Sequence, residues 1–146
     1  MSSPVEVTEG PYAGWMTWPD EAFEMNAGPY YFRIEPDGSA LCAFDAEARH
    51  MNSSGAVHGG CLMSFADFSI FAIAHEHILG AGSSVTVTLN NEFIGAGHLG
   101  ERMEARGDVL RAGGRLIFVR GLITANKRPC LNFSGVISRV KAKPEA

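Results

Sequence analysis

Asn52, Gly55, His58, Gly59, Gly60 and Asp67 lie within one run, NSSGAVHGGCLMSFAD, whose residue types suit chemistry at a carbonyl. Asp67 stands in an otherwise apolar stretch, where burying a carboxylate costs on the order of several kcal/mol unless it is paired, hydrogen-bonded or protonated. At helical spacing its neighbours are Met63, Ser64, Ile70 and Phe71, none of them a cation. Asp67 is therefore either a functional carboxylate or a structural one satisfied by a distant partner. Gly59 and Gly60 fall at a predicted helix start, where the first amides have no internal acceptor. Those N–H groups, at the positive end of the helix dipole, can polarise a carbonyl or stabilise an oxyanion. A Gly-Gly pair alone often serves packing; polar Asn52 before it and Asp67 after it strengthen the chemical reading.

Spacing adds a constraint. His58 and Asp67 are nine residues apart, which puts them on opposite helix faces and about 13 Å apart along the axis. They cannot form a dyad within one helix. If both serve one site, that site is shared between two subunits. His58 either orients substrate or ties down the helix entry.

Other nucleophiles and ligands are less well placed. Cys61 falls in the first helical turn, where a thiol pKa can drop, but no base lies at suitable spacing. Ser64 precedes Asp67 by one turn and can reach water or the carboxylate, yet it lies in no Gly-x-Ser-x-Gly elbow. His75 and His77 diverge by about 200° on a helix and cannot share a metal. Cys42, Cys61 and Cys130 are odd in number and far apart, which reads as buried free thiols without zinc or disulfides.

The elements that must position these residues follow from periodicity. Residues 1–18 read as an irregular arm, with Trp15 and Trp18 packing onto something, and 19–146 as one domain. Pro19, Asp20 and Glu21 suit the start of a short helix that stops near Asn26 and Gly28. Tyr30 to Ile34 and Ala40 to Phe44 read as strands around the turn at residues 36–39. One apolar helix is expected from about His58 to Leu79, ended by Gly80-Ala81-Gly82. Its Phe65, Phe68 and Phe71 are core side chains rather than a pocket lining. Four strands follow. In the first, Val85, Val87, Leu89 and Phe93 alternate with Thr86, Thr88, Asn90 and Glu92, as if one face were wet; Met103, Ala105, Gly107 and Val109 alternate with charges in the second. Gly113-Gly114 marks a hairpin, and the last two strands, Leu116 to Ala125 and Leu131 to Val140, are separated by residues 126–129. A helix apolar nearly all round must be buried on most sides. An antiparallel sheet curled around it is the economical α+β architecture, and a homodimer closes the open edges.

Composition excludes other classes. The 146 residues suit one domain, with 46% hydrophobic and 19% charged residues, and Lys plus Arg total 12 against 16 acids. A net charge of -4 is no footprint for nucleic acid, although Arg139, Lys141 and Lys143 form a local basic tail. The N-terminus carries acid and no apolar run, and the apolar stretch from Cys61 to Ala74 is too short for a membrane span. A soluble, cytoplasmic protein is expected.

With these residues in view, Asn52 to Asp67, together with Ser83 to Glu101, resembles the hot-dog-fold acyl-CoA thioesterases of the PaaI-like, phenylacetate-pathway family. The resemblance extends from about Asn52 to Val140. It implies hydrolysis of an acyl-CoA thioester without metal or organic cofactor, in a homodimer or homotetramer. Asp67 would be general base or nucleophile, the Gly59 amide would polarise the carbonyl, and Asn52 would position water or substrate. His58, Gly60 and Ser64 would contact or hold substrate. Thr86 falls where the family often has a serine near the reaction centre. A non-catalytic acyl-CoA or aromatic-CoA binder on the same fold is the competing reading. A dehydratase of this fold class would need a mid-helix histidine, and Asp67 stands there instead.

Overall fold

The structure, a computed structural model, describes residues 2–140. Eight strands form a single antiparallel sheet: β1 (Val5–Glu6), β2 (Met16–Thr17), β3 (Tyr31–Ile34), β4 (Ala40–Asp45), β5 (Ser83–Phe93), β6 (Arg102–Ala112), β7 (Leu116–Ala125) and β8 (Arg128–Val140). Their order is β1-β2-β3-β4-β6-β7-β8-β5, so β1 and β5 are the two edges. The sheet wraps around α2 (Gly59–Ile73), while α1 (Ala22–Ala27) and α3 (His75–Ile78) are short. This is the expected α+β arrangement.

Burial of α2 organises the core. Leu62, Phe65, Ala66, Phe68, Ile70, Phe71 and Ala72 are all buried, against Phe44, Met103, Val119, Phe133 and Ile137 of the sheet. Each large side chain contributes about 1.5–3 kcal/mol of transfer free energy. Close approach depends on the glycines facing the helix: a Cβ on Gly135 would lie 2.9 Å from Ile70 Cδ1, and one on Gly107 would lie 2.8 Å from Ile73 Cδ1 and collide with the Arg120 carbonyl.

Four expectations change. The long helix is broken at Ala74, whose backbone (φ -89°, ψ 11°) leaves helical geometry. His75 Nδ1 lies 2.9 Å from the Ala72 carbonyl, occupying an acceptor that a continuing helix would use, and α3 follows as a separate turn. The arm is not wholly irregular: β1 and β2 extend the sheet, Trp18 stacks on Phe32 at 4.9 Å, and Tyr12 and Trp15 cover Leu41 and Ala43 on its outer face. The turn between β7 and β8 shortens to Asn126 and Lys127, both at positive φ, so β8 starts at Arg128. Finally, the faces of β5 are reversed in its first half. Val85 and Val87 are exposed and Thr86 is half-buried, because the register shifts between Thr86 and Thr88 and reverses the alternation, so that Leu89 again packs on the core.

Of the basic tail, Lys141 and Lys143 lie outside the described residues. Arg139 is bound to the carbonyls of His77, Gly113 and Gly114. Among the described residues no helix is long and apolar enough to cross a membrane.

Replacing Gly107 with Ala tests the packing: overpacking against backbone should lower the unfolding free energy by about 1–3 kcal/mol in urea titrations.

Candidate active site

The loop before α2 is built by Asn52. Its Oδ1 accepts from the Ser54 and Ala56 amides at 2.9 and 3.1 Å, and its own N–H donates to the Ala56 carbonyl. The side-chain oxygen is thus committed to the loop, leaving the Asn52 Nδ2 group to donate outward. His58 caps α2: its Nδ1 accepts from the Gly60 amide at 2.8 Å. That fixes the ring tautomer with the proton on Nε2 and engages Gly60. The Gly59 amide donates to no acceptor among the described residues. Phe93, at the end of β5, packs over Gly59 so closely that a Cβ there would lie 3.1 Å from its ring.

Further along α2, Gly60, Met63, Ser64 and Asp67 recur at three- and four-residue spacing and line one open groove, the strip of the helix that the sheet leaves uncovered. Ser64 Oγ donates to the Gly60 carbonyl at 2.8 Å. Asp67 Oδ1 accepts from Thr86 Oγ1 at 2.6 Å, a short charge-assisted bond. The reversed face of β5 is what turns Thr86 toward the helix. Oδ2 has no hydrogen-bond partner among the described residues.

The opposite wall of the groove comes from α1, which contributes Phe23 and Glu24, with Glu21 just before it. Arg49 and His50 hold this helix by its C-terminal carbonyls. Arg49 donates to the Asn26 carbonyl at 2.6 Å and to that of Gly28, and His50 Nε2 lies 2.9 Å from the Ala27 carbonyl. The Glu47 amide donates to His50 Nδ1 at 3.0 Å, which makes Nε2 the donor. Burial, followed by the charges of Glu21 and Asp67, pushes the Glu24 carboxyl up to about 7. Burial also raises the Cys61 thiol, against the lowering considered for a first-turn cysteine.

The structure therefore places Asn52, His58, Gly59 and Gly60 around the N-terminus of α2, lines Gly60, Ser64 and Asp67 along one groove, and joins Thr86 to Asp67 at mid-helix. Phe23, Glu24, Arg49, His50 and Phe93 were not singled out from sequence. Phe23 and Glu24 lie about forty residues before Asp67, and nothing in their local pattern links them to it.

Known proteins share the fold that carries these residues. A profile of the thioesterase superfamily matches residues 54–131. The Pseudomonas aeruginosa protein named "Putative esterase PA0474" is 28% identical over 110 residues, covering 75% of this chain and 81% of that one. Among solved structures, PaaI of the Escherichia coli phenylacetic acid degradation operon superposes with a TM-score of 0.73 at 19% identity, over 85% of this chain and 88% of its own. A hypothetical thioesterase from Streptococcus pneumoniae, solved with coenzyme A, gives 0.71 at 19% identity, over 85% and 97%. The chain belongs to the thioesterase superfamily and has the hot-dog fold of the PaaI proteins.

Proposed function

We propose that this protein hydrolyses acyl-CoA thioesters, with Asp67 of one subunit acting opposite the Gly59 amide of another. The observation that carries the reading is a pair of unused groups on α2: the Gly59 N–H and the free oxygen of Asp67. Both must meet at one reacting carbonyl, yet eight residues of helix separate them by about 12 Å along the axis. A second copy brings the two ends together. The β5 edge suits that contact, being eleven residues long, unpaired on its outer side and bearing exposed Val85 and Val87. A homodimer is the minimal active unit, and pairing of dimers gives a tetramer. The coenzyme A bound to the similar streptococcal protein supports a CoA thioester as substrate. The free cysteines and the acidic composition suit a cytoplasmic protein.

In this reading the thioester oxygen accepts from the Gly59 N–H, which strengthens as charge develops on it. Asn52 Nδ2 donates to the water or the substrate. Asp67 takes the water proton on Oδ2 while Thr86 holds Oδ1, and water oxygen bonds to the carbonyl carbon. The C–S bond then breaks with its electron pair moving to sulfur, releasing the acid and a thiolate that takes up a proton. No metal or organic cofactor enters these steps.

Thiol release from short-chain, medium-chain and aryl acyl-CoA tests the proposal. Asp67→Asn should lower kcat by at least about 100-fold without unfolding the protein. Thr86→Val should cost on the order of tenfold, the worth of one hydrogen bond to a charged group. Cleavage of no acyl-CoA, or an Asp67→Asn variant as active as wild type, would refute the reading.

A further inference from the structure

Glu24 differs from the acids that arginines hold in this protein. Glu35, Glu47, Glu101, Asp45 and Asp108 are all in ion pairs with arginine, whereas the Glu24 side chain has no hydrogen bond or ion pair among the described residues. It is nevertheless held in place, because Arg49 and His50 grip the carbonyls at the end of its short helix. That clasp keeps it in the groove that contains Asp67.

We propose that Glu24 is the acid that protonates the departing thiolate, so that Asp67 and Glu24 form a base–acid pair across the groove; this rests on the thioesterase reading. The groups facing Glu24 are Glu21 at the start of its own helix, Asp67 on α2 and the Tyr30 hydroxyl beside β3. Among the described residues no cation lines the groove, and the nearby Arg49 is committed to backbone carbonyls and to Glu47. With its carboxyl pushed up to about 7, Glu24 carries a proton for much of the time at neutral pH. An alkyl thiol has a pKa of about 8.5, so transfer from Glu24 to the thiolate runs downhill. Two carboxyls in one site with different proton affinities are the usual way to divide base from acid.

The balance is simple. Asp67 gains the water proton, the C–S electron pair moves to sulfur, sulfur takes the Glu24 proton, and exchange with water returns both carboxyls to their starting states. Phe23, 70% exposed on the same helix, and Met63 flank the groove with apolar surface.

Leaving-group dependence separates this role from a structural one. The wild-type protein and Glu24→Gln are compared on an acyl-CoA and on the same acyl group esterified to an aryl thiol, whose thiolate leaves without protonation. Glu24→Gln should lower kcat for the CoA ester on the order of 100-fold and abolish its decline above neutral pH, while cleaving the aryl thioester at the wild-type rate. Glu21→Gln removes a charge that raises the Glu24 pKa, so the alkaline decline should move to lower pH. Equal losses on both esters, or no loss on either, would overturn the proposal. A wild-type protein that cleaves neither would overturn the hydrolase reading itself.

Stability gives a second, activity-free readout. A carboxyl whose folded pKa lies above its unfolded value destabilises the fold as pH rises through that interval. Glu24→Gln should therefore melt higher than wild type at about pH 8 and show no such gain at about pH 4. A gain that does not depend on pH would contradict the assigned environment.

Discussion

Everything in this protein depends on the burial of α2. A helix with Leu62, Phe65, Phe68, Ile70 and Phe71 on its surface cannot stand in water, and the sheet curls to cover it on all but one strip. The strip is narrow because Gly107 and Gly135 let the strands come within van der Waals contact of Ile73 and Ile70. What stays uncovered is Gly60, Met63, Ser64 and Asp67. The groove is thus what remains when packing has taken every other face of the helix.

That constraint also separates the chemistry. A straight, fully hydrogen-bonded helix holds the Gly59 amide and the Asp67 carboxylate at a fixed distance, with no hinge between them. His58 engages Gly60 and leaves Gly59 unused, while Thr86 engages one oxygen of Asp67 and leaves the other. α2 therefore presents one free group at its N-terminus and another at mid-helix, and a two-fold assembly is the simplest way to bring the first from one chain to the second of its partner. The bulge after Thr86 matters as much as the helix does. Without it Thr86 and Leu89 could not both face inward from one strand.

Much of this is legible in the sequence, for physical reasons. The run from Asn52 to Asp67 stands out because a carboxylate among apolar residues is costly and glycines at a helix start are conspicuous. The sheet shows in the alternation of Met103, Ala105 and Val109 with charged residues. The β5 faces did not show, because alternation alone cannot reveal an extra residue in a strand; Val85 and Val87 imitate a core face although both are exposed. The break at Ala74 was hidden as well, since it comes from a His75 side-chain contact rather than from a glycine or proline. Glu24 is held in the groove with the help of Arg49 and His50, which grip α1 through a long-range contact with no local signature.

If two chains complete one site, mixing subunits that each lack a different half restores activity that neither has alone. Gly59→Pro removes the amide proton at the first helical position, where proline is tolerated once the exposed Phe93 side chain gives way to the added Cβ, and His58 already has the extended backbone (φ -58°, ψ 137°) that a following proline requires. Gly59→Pro and Asp67→Asn should each be inactive alone. Reassembled at equal amounts, half the dimers are mixed and each holds one intact site, so about a quarter of wild-type thioester hydrolysis should return. A mixture as inactive as its parents would contradict the account, because it would place Gly59 and Asp67 in the same chain's site.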